Sequence, residues 1–352
     1  MKFPVLSLVW LLIILVTILI VCFRNKNCGD YFTKLSDTKT HKFPFLYFKN
    51  EHGKTLPIVA VTGFFRSKED RERYNEYIKN GIKVFGITAY KSFPRKIDDV
   101  SEDKFHHSDN FNYTKEIKNW LCCFQNAGSF GFTNWNKLNN QSESDFYNAD
   151  DKLETTEKKY DFIYICNKDD DKCNPNGWNA LNRNFKLALE CFPVLINRMG
   201  MKGLIVGRVN CGLESLYGDK VEVTGFLPYH ELQVKMKQCK FLFVPNVTDA
   251  SPRVIAECMI KNVPVLMNQN ILCGTKYVNS RTGMLFTDQN DVATSAQKLL
   301  HGVKNGSIAP NKWWRDNFGV KPSAKRLKTF LSECFPDVLA KYPNSHEISF
   351  VI

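Results

Sequence analysis

The segment from residue 241 to residue 267 most constrains what this chain can fold into. Residues 241–245 read FLFVP, an unbroken apolar run of the kind that a parallel strand buried on both faces requires. After a short loop, Ser251 offers a side-chain oxygen for an N-cap and Pro252 suits the first helical position, so a helix is predicted to start there. The apolar residues that end the segment form a second buried strand. The segment therefore predicts a β-α-β unit of a parallel sheet.

The start of this helix predicts a binding site for an anion. The N–H groups of a helix N-terminus have no partners within the helix, and this N-terminus faces the space beyond the carboxyl end of a strand. Arg253, Glu257 and Lys261 recur at every fourth position, which by itself is typical of a solvated face with weak ion pairs. Asp249 lies eight residues before Glu257, so two carboxylates flank the anion site. This placement suits a ligand with a central diphosphate and hydroxyl-rich sugars at both ends.

Residues 249–257, DASPRVIAE, resemble the E-x7-E segment of retaining glycosyltransferases of family 4, which have the GT-B fold. The resemblance implies that Glu257 binds the ribose of a nucleotide-sugar donor and that Asp249, the candidate catalytic residue, lies at the donor sugar. It also implies that three residues between them surround the diphosphate, namely Ser251, Pro252 and Arg253. This chain departs from the family in having the shorter Asp249 in place of the first glutamate.

The resemblance extends over residues 160–301, where buried strands alternate with helical patterns. Family members have a Lys-Gly pair at the start of the helix after the first strand, and Arg183-Asn184 occupies that place here. A guanidinium binds phosphate oxygens as a fork, so Arg183 is a candidate donor ligand, with an exposed helix-start arginine as the alternative. Further donor-binding candidates follow two other predicted strands: Gly207, Arg208 and Gly274.

The part of the chain between residues 56 and 160 is shorter than a full Rossmann-type domain. A strand at 57–61, a helix at 67–79 closed by Gly81, and a strand at 82–89 predict one β-α-β unit. The predicted organisation is a membrane anchor at 1–24, a stem at 25–56, a short acceptor-side α/β domain at 57–158, a nucleotide-sugar domain at 159–310 and a helical tail at 311–352. The tail contains Trp313, Trp314 and a basic amphipathic segment, which either packs back on the first domain or lies on a membrane surface.

An apolar stretch that begins at Pro4 and ends at Phe23 predicts a single-pass transmembrane helix. It holds no charge, and about 20 residues at roughly 1.5 Å each cross a hydrocarbon core of roughly 30 Å. Arg24 and Lys26 after the stretch favour a cytosolic body. Four glycosylation sequons favour a lumenal body, at Asn112, Asn140, Asn246 and Asn305. By analogy with anchored glycosyltransferases we expect a lumenal body in the endoplasmic reticulum or Golgi, with a cytosol-facing body as the alternative.

Charge and cysteine content exclude other classes of site. The net charge is +12, but lysines and arginines are scattered among acidic residues, so nucleic acid is not an expected partner. The twelve cysteines include no C-x-x-C pair, and no structural zinc site is predicted. Cys166, Cys239 and Cys258 are expected to be small buried core residues. The run from Asp169 to Asp171 lies beside lysines and is expected to be solvated rather than to bind a metal.

The sequence predicts a glycosyltransferase (EC 2.4, hexosyltransferase-like) that moves a sugar from a nucleotide sugar to a glycan, lipid or protein. The resemblance implies that the enzyme retains anomeric configuration, needs neither metal nor other cofactor, and acts by positioning and by stabilising the leaving phosphate. A catalytically inactive GT-B-like binding scaffold is one alternative, favoured by Asp249 and by the short first domain. A sugar-nucleotide epimerase of the same fold is the other, since a fold does not fix a function.

Overall fold

Two six-stranded sheets, each with helices packed on both faces, make up the computed structural model. The structure describes residues 43–88, 93–94, 110–124, 137–153, 155–249, 253–341 and 348–351. The predicted membrane anchor lies outside these residues. Among the residues that the structure describes, none of the helices combines the length and the apolar character that a membrane crossing requires.

The first sheet is mostly parallel. Its strands are β1 (Phe45–Asn50), β2 (Thr55–Val61), β3 (Lys83–Ile87), β4 (Asn119–Leu121), β5 (Lys137–Asn139) and β12 (Ile348–Val351), in the spatial order β12-β1-β2-β3-β4-β5. β1 is antiparallel to both of its neighbours, β2 and β12, whereas the strands from β2 to β5 are parallel. The sheet therefore has more strands than the single β-α-β unit that the sequence predicted.

The segments between β2 and β4 contribute the helices α1 (Lys68–Lys79) and α2 (Tyr113–Glu116) to this sheet. The predicted start of α1 is confirmed, because the Ser67 side chain accepts a hydrogen bond of 3.4 Å from the Asp70 N–H. The amphipathic pattern of α1 buries Tyr74 and Tyr77 against Phe45 and Phe65 of the sheet side.

The second sheet is entirely parallel, as the sequence predicted. Its strands are β6 (Tyr160–Ile165), β7 (Gly203–Val206), β8 (Val221–Thr224), β9 (Cys239–Val244), β10 (Val265–Asn268) and β11 (Gly283–Phe286). Their spatial order is β11-β10-β9-β6-β7-β8, so the direction of the winding changes between β6 and β9. Ligands of open α/β sheets bind beyond the carboxyl ends of the strands at such a switch point.

Helices cover both faces of the second sheet. They are α3 (Trp178–Asn182), α4 (Phe185–Phe192, continued by a π-helical turn over Pro193–Arg198), α5 (Leu213–Tyr217), α6 (Tyr229–Lys237), α7 (Arg253–Met259), α8 (Val292–Lys304) and α9 (Pro310–Asn317). Phe192 and Leu299 bring α4 and α8 into the core on one face. Met236 and Ile255 bring α6 and α7 into the core on the other face. A disulfide joins Cys173, in the loop after β6, to Cys211, in the loop after β7.

After α9 the chain returns to the first domain as α10 (Val320–Cys334) and α11 (Pro336–Leu339). Leu327, Phe330 and Leu331 of α10 pack against Phe48 and Phe85 on the first sheet. Of the two interpretations of the basic amphipathic tail, the structure therefore shows the one in which it packs on the first domain.

The tail differs from its prediction in two respects. Trp313 and Trp314 pack with Tyr277 and Phe318 in the second domain, because α9 ends before the chain crosses back. The tail also ends in β12, which pairs with β1 inside the predicted stem. β1 lies within the predicted stem at 25–56, and the buried pattern of its aromatic residues reflects pairing with β2.

Buried polar contacts fix the connection between the two domains. Asp145, in the segment that leads from β5 to β6, is 1% exposed and accepts hydrogen bonds from the Tyr277 hydroxyl and, at 3.0 Å, from Lys276 Nζ. Gln141 Nε2 donates to the Ser323 carbonyl at 2.8 Å, and Ser323 Oγ donates to the Asp145 carbonyl at 2.7 Å. The outgoing segment, the returning helix α10 and the loop after β10 are therefore held together at one place.

Candidate functional site

The carboxyl ends of the two sheets meet along the loop that follows β10. An antiparallel bridge joins Phe124, just after β4, to Cys273 in this loop, and Cys273 packs into the core of the first domain. The Leu272 N–H donates to the Val247 carbonyl at 2.9 Å, which ties the same loop to the loop after β9. A crevice between the carboxyl ends of two α/β sheets is where ligand binding is expected.

Arg183 and Asp249 form an ion pair at this edge of the second sheet. Arg183 is the C-cap residue of α3, and Asp249 lies in the loop after β9. The Asp249 side chain is 10% exposed and also accepts a hydrogen bond of 3.1 Å from Asn246 Nδ2. The guanidinium and the amide satisfy a carboxylate that is costly to bury alone. The structure thus brings together two residues that the sequence assigned to different parts of the donor.

Asn184 occupies the place of the glycine in the Lys-Gly pair that the resemblance implies. Its backbone is left-handed, with φ of 48°, a conformation that favours glycine and that asparagine tolerates better than most residues. The Asn184 side chain caps α4 by accepting from the Leu187 N–H and donates to the Pro245 carbonyl at 3.0 Å. Asn184 therefore fixes the start of α4 to the end of β9, next to Arg183.

Glu257 lies on α7 and faces both α6 and the segment that leads from β5 to β6. Tyr147 Oη donates to Glu257 Oε1 at 3.4 Å, and Gln233 Nε2 donates to Glu257 Oε2 at 3.3 Å. Burial raises the pKa of Tyr147, and the negative charge of Glu257 raises that pKa further, so the phenol is protonated at neutral pH and can donate. Both carboxylate oxygens of Glu257 thus have the geometry to accept from hydroxyl or amide donors.

Arg208 is enclosed by the protein, whereas the sequence placed it at the cleft. It is 1% exposed and donates from Nη2 to Asp169 Oδ2 at 2.9 Å and from Nε to Cys166 Sγ at 3.0 Å. The Phe185 ring lies 4.8 Å from its guanidinium carbon. Arg208 therefore holds the loop after β6 in place rather than pointing into open space.

Gly207 has a structural reason for being glycine. Its φ is 99°, and a Cβ atom built there would lie 2.4 Å from the Cys166 carbonyl oxygen and 2.6 Å from Asn167 Cα. These are backbone atoms that do not move aside easily, so only glycine permits the loops after β6 and β7 to approach this closely.

Asp169 is a helix-capping residue and not a solvated one, which corrects the expectation for residues 169–171. Asp169 Oδ1 accepts from the Asn179 N–H at 2.7 Å, and Oδ2 accepts from the Ala180 N–H at 3.1 Å and from Arg208. Burial raises the pKa of Asp169, but these hydrogen bonds and the Arg208 charge outweigh burial and hold the pKa below its usual value. Its neighbours Asp170 and Asp171 are exposed, as expected.

The other predicted site residues are less informative. Ser251 and Pro252 lie outside the described residues, and Arg253 is exposed at the first described position of α7. Gly274 has a φ of 98° and precedes a single turn of helix over Thr275–Tyr277. Among the described residues, no group of three or more His, Cys, Asp or Glu side chains is arranged to hold a metal ion.

Sequence comparison identifies the part of the chain that holds this site. Residues 178–305 match the sequence model of the family Glycosyl transferases group 1. We refer to residues 178–305, which match this model, as the group 1 domain. The group 1 domain contains the elements from α3 to α8 and with them Arg183, Asp249 and Glu257. No curated protein matches the sequence of the chain.

The fold around the group 1 domain resembles that of solved glycosyltransferases. Sucrose-phosphate synthase from Thermosynechococcus elongatus has a TM-score of 0.52 at 12% identity, over 80% of this chain and 74% of that chain. The pneumococcal O-GlcNAc transferase GtfA, in complex with UDP and GlcNAc, has a TM-score of 0.51 at 9% identity, over 74% of this chain and 54% of that chain. A variant of TarM from S. aureus has a TM-score of 0.45 at 15% identity, over 75% of this chain and 50% of that chain.

At these identities the likeness concerns the fold alone. It confirms the predicted GT-B-like α/β fold, in which two domains with parallel strands face each other. The chain spans about half the length of GtfA and of TarM.

Asn246 also belongs to the group 1 domain and is a poor glycosylation acceptor. It is 3% exposed, and its side-chain nitrogen donates to Asp249. A glycan on that nitrogen would break this contact and would need space inside the fold.

Proposed function

We propose that this protein is a glycosyltransferase that transfers a sugar from a nucleotide-sugar donor to a glycan, lipid or protein acceptor with retention of configuration. The observation that carries the proposal is the Arg183–Asp249 ion pair at the carboxyl edge of the second sheet, with Glu257 on α7, the helix that follows Asp249 in the group 1 domain. A GT-B-like fold in which the carboxyl ends of the two sheets meet supports it.

Each of the three residues has a distinct role in this proposal. Glu257 binds the two ribose hydroxyls, which take the places of the Tyr147 and Gln233 donors on its two oxygens. Arg183 binds the diphosphate, because a guanidinium matches phosphate oxygens as a fork. Asp249 accepts from hydroxyls of the donor sugar, and its contacts with Arg183 and Asn246 fix its direction.

The proposed step forms a bond between the acceptor hydroxyl oxygen and the anomeric carbon and breaks the bond from that carbon to the diphosphate oxygen. The acceptor proton passes to the departing diphosphate, which leaves from the face that the acceptor attacks. Negative charge develops on the leaving group, and the Arg183 guanidinium stabilises it. A cation at this place supports the proposal that transfer needs no metal ion.

Donor binding by the full-length protein tests this proposal. Thermal unfolding is followed with UDP-, GDP-, ADP- and dTDP-sugars, beginning with UDP-GlcNAc, with and without EDTA. A ligand that binds only the folded state raises the melting temperature by mass action. We expect one nucleotide family to raise it in a chelator-resistant manner and to support release of the nucleoside diphosphate.

The Glu257→Ala variant and a matched control decide whether the proposed site is responsible. Removing a charged hydrogen-bonding partner costs about 1.5–3 kcal/mol, so donor affinity should fall roughly 10–100-fold. Glu190→Ala removes an exposed carboxylate from α4 and should leave affinity unchanged. Equal loss in both variants, or no shift with any donor, would contradict the proposal. The remaining outcome is a donor that raises the melting temperature but releases no nucleotide in the presence of glycan, lipid and protein acceptors. That result would favour the catalytically inactive binding scaffold.

A further inference from the structure

The four glycosylation sequons lie in different surroundings, and the structure describes the residues of all four. The sequon at 305–307 is exposed at each of its three residues, in the turn that follows α8. Each of the other three sequons contains a residue that is at most 3% exposed: Tyr113, Ser142 and Asn246. A glycan is a bulky surface group. Of the four sequons, the one at 305–307 is therefore the most open to modification.

The fold engages the oxygen of the Asn305 side chain, whereas a glycan is attached to the nitrogen. Asn305 Oδ1 accepts a hydrogen bond of 3.0 Å from the Ser307 N–H. An N-linked glycan replaces one hydrogen of Nδ2 and leaves Oδ1 as an acceptor, so the turn keeps this bond after modification. Asn246 is the opposite case, because its Nδ2 donates to Asp249 at 3.1 Å.

The backbone fixes the sequon in an exposed turn between two buried residues, Gly302 and Ile308. The Asn305 N–H donates to the His301 carbonyl at 3.0 Å and so ends α8. Gly306 then adopts a left-handed backbone, with φ of 74°, which glycine tolerates without strain. The position of Asn305 on the surface thus follows from the end of the helix.

A groove of about 410 Å³ borders Asn305 and has room for the first sugars of a glycan. Lys298 and His301 of α8 line one side of it, and Arg281 and Met284 line the other side. Lysine and arginine side chains donate hydrogen bonds that sugar hydroxyls accept. In the described part of the chain Met284 belongs to an edge strand, β11, and covering groups protect edge strands from pairing with other chains.

Asn305 lies on the side of the second domain that is remote from the proposed donor site. The Ala309 N–H donates to the Arg281 carbonyl at 2.9 Å, which places the chain after α8 at the amino end of β11. Asp249 follows β9 and lies at the carboxyl ends of the strands. A glycan on Asn305 therefore leaves the crevice open, whereas one on Asn246 would lie inside the site.

We propose that Asn305 carries an N-linked glycan. The donor is an oligosaccharide linked to a lipid diphosphate. A bond forms between Asn305 Nδ2 and the anomeric carbon of the oligosaccharide, and the bond from that carbon to the diphosphate oxygen breaks. One amide proton passes to the released lipid diphosphate. This transfer takes place in a secretory lumen, so the proposal rests on the predicted lumenal body and not on the proposed transferase function.

Mass spectrometry of the full-length protein from mammalian cells tests the site. Peptide-N-glycosidase in heavy-oxygen water removes an N-linked glycan and converts its asparagine to labelled aspartate. We expect the label at Asn305 and not at Asn246. A sample kept in the same water without the enzyme is the control, because an asparagine before a glycine, such as Asn305, also deamidates spontaneously.

Variants of the third sequon residue separate the glycan from other changes. Ser307→Ala removes the hydroxyl that the sequon requires, and this variant should lose the mass of one glycan in gel electrophoresis. Ser307→Thr keeps a hydroxyl and should keep the glycan. Asn305→Gln removes the attachment atom and replaces Ser307→Ala if that variant folds poorly. Asn290→Gln changes an exposed asparagine outside any sequon and should migrate like the wild type.

Three results would overturn the proposal. The first is the absence of enzyme-dependent label at Asn305, and the second is a Ser307→Ala variant that migrates like the wild type. The third is label at Asn246 in folded protein, which would contradict the reasoning that selects Asn305. Ser307→Ala should bind nucleotide sugars like the wild type, so failure of the donor site does not affect this test.

Discussion

At the scale of single residues, the candidate site rests on charged side chains that other side chains hold in place. Asp249 is held by Arg183 and Asn246, and Asp169 is held by Arg208 and by two N–H groups of α3. Preorganised charge of this kind binds a polar ligand without first having to be ordered.

Asp169 predicts a stability that depends on pH. Its folded-state pKa is depressed, so its contribution is present above the unfolded value and is lost as pH falls through the folded value, below about 3.8. At pH 7, Asp169→Asn should lower the free energy of unfolding by about 1–3 kcal/mol, because charged hydrogen bonds are lost. The difference from the wild type should shrink as pH falls from 4 towards 3.

Thermal unfolding of both proteins across this pH range checks the prediction. Asp171→Asn is the control, because Asp171 is exposed and pairs with Lys168 on the surface. If the difference in stability between Asp169→Asn and the wild type does not depend on pH, the charge of Asp169 is not its cause, and the prediction is wrong.

The Arg183–Asp249 ion pair predicts that the two positions are energetically coupled. Arg183→Ala leaves the partly buried Asp249 without its cation, so the single variants should each be destabilised. Removing both residues should then cost less than the sum of the two single losses. In a double-mutant cycle with Asp249→Ala, we expect a coupling free energy of about 1–3 kcal/mol in unliganded protein. Urea unfolding of the four proteins measures it, and additive effects would mean that the pair is absent in solution.

The sequence names the residues of the proposed site but not the residues that contact and support them. Asp249, Glu257 and Arg183 were named from the family resemblance, and the structure shows Arg183 and Asp249 in contact. Tyr147 lies in a segment without periodicity, so nothing in the sequence links it to Glu257. Arg208 was misplaced because its position after a strand predicts the edge of the sheet but not the direction of its side chain.

At the scale of elements, strands with long apolar runs were predictable and short strands were not. β9 and its neighbours are buried on both faces and need apolar runs that the sequence makes visible. β4 and β5 have three residues each, NWL and KLN, and become strands only because neighbours pair with them. β1 and β12 were also missed, although β1 has six residues.

Helix α10 predicts a stability effect that reaches across the molecule. Phe330 is 1% exposed, and its ring lies 5.5 Å from that of Phe85 in the first sheet. Phe330→Ala should lower the free energy of unfolding by about 3–5 kcal/mol, because a large buried side chain leaves a cavity. Thr329→Ala changes the exposed neighbouring position and should cost less than about 0.5 kcal/mol. Urea denaturation compares them, and similar midpoints would contradict the packing of α10 on the first domain.

At the scale of the whole molecule, the Cys173–Cys211 disulfide bears on where the protein works. Disulfides persist in oxidising compartments and are rare in the cytosol, so the bond favours the predicted lumenal body over the cytosol-facing alternative. The anchor and the orientation stay predictions. The bond closes a loop of 38 residues that includes α3 and Arg183.

Breaking this bond should destabilise the loops around the site. The chain-entropy model assigns about 4 kcal/mol to a loop of this length. We expect Cys173→Ser/Cys211→Ser to melt at a lower temperature than the wild type, and dithiothreitol to lower the melting temperature of the wild type but not of the variant. Cys334→Ser changes a cysteine outside the disulfide and is the control. A wild type that is insensitive to dithiothreitol, with two free thiols at these positions by mass spectrometry, would contradict both the bond and the lumenal proposal.

The return of the chain through α10 and β12 has a consequence for synthesis on the ribosome. The first domain needs both segments, since α10 covers Phe48 and Phe85 and β12 pairs with β1. In the chain, the second domain lies between the first domain and these two segments, and it can complete its own core first. One apolar face of the amino-terminal sheet therefore stays uncovered until the entire second domain has emerged from the ribosome. A nascent chain of this protein has its longest exposure to chaperones at the half that is translated first.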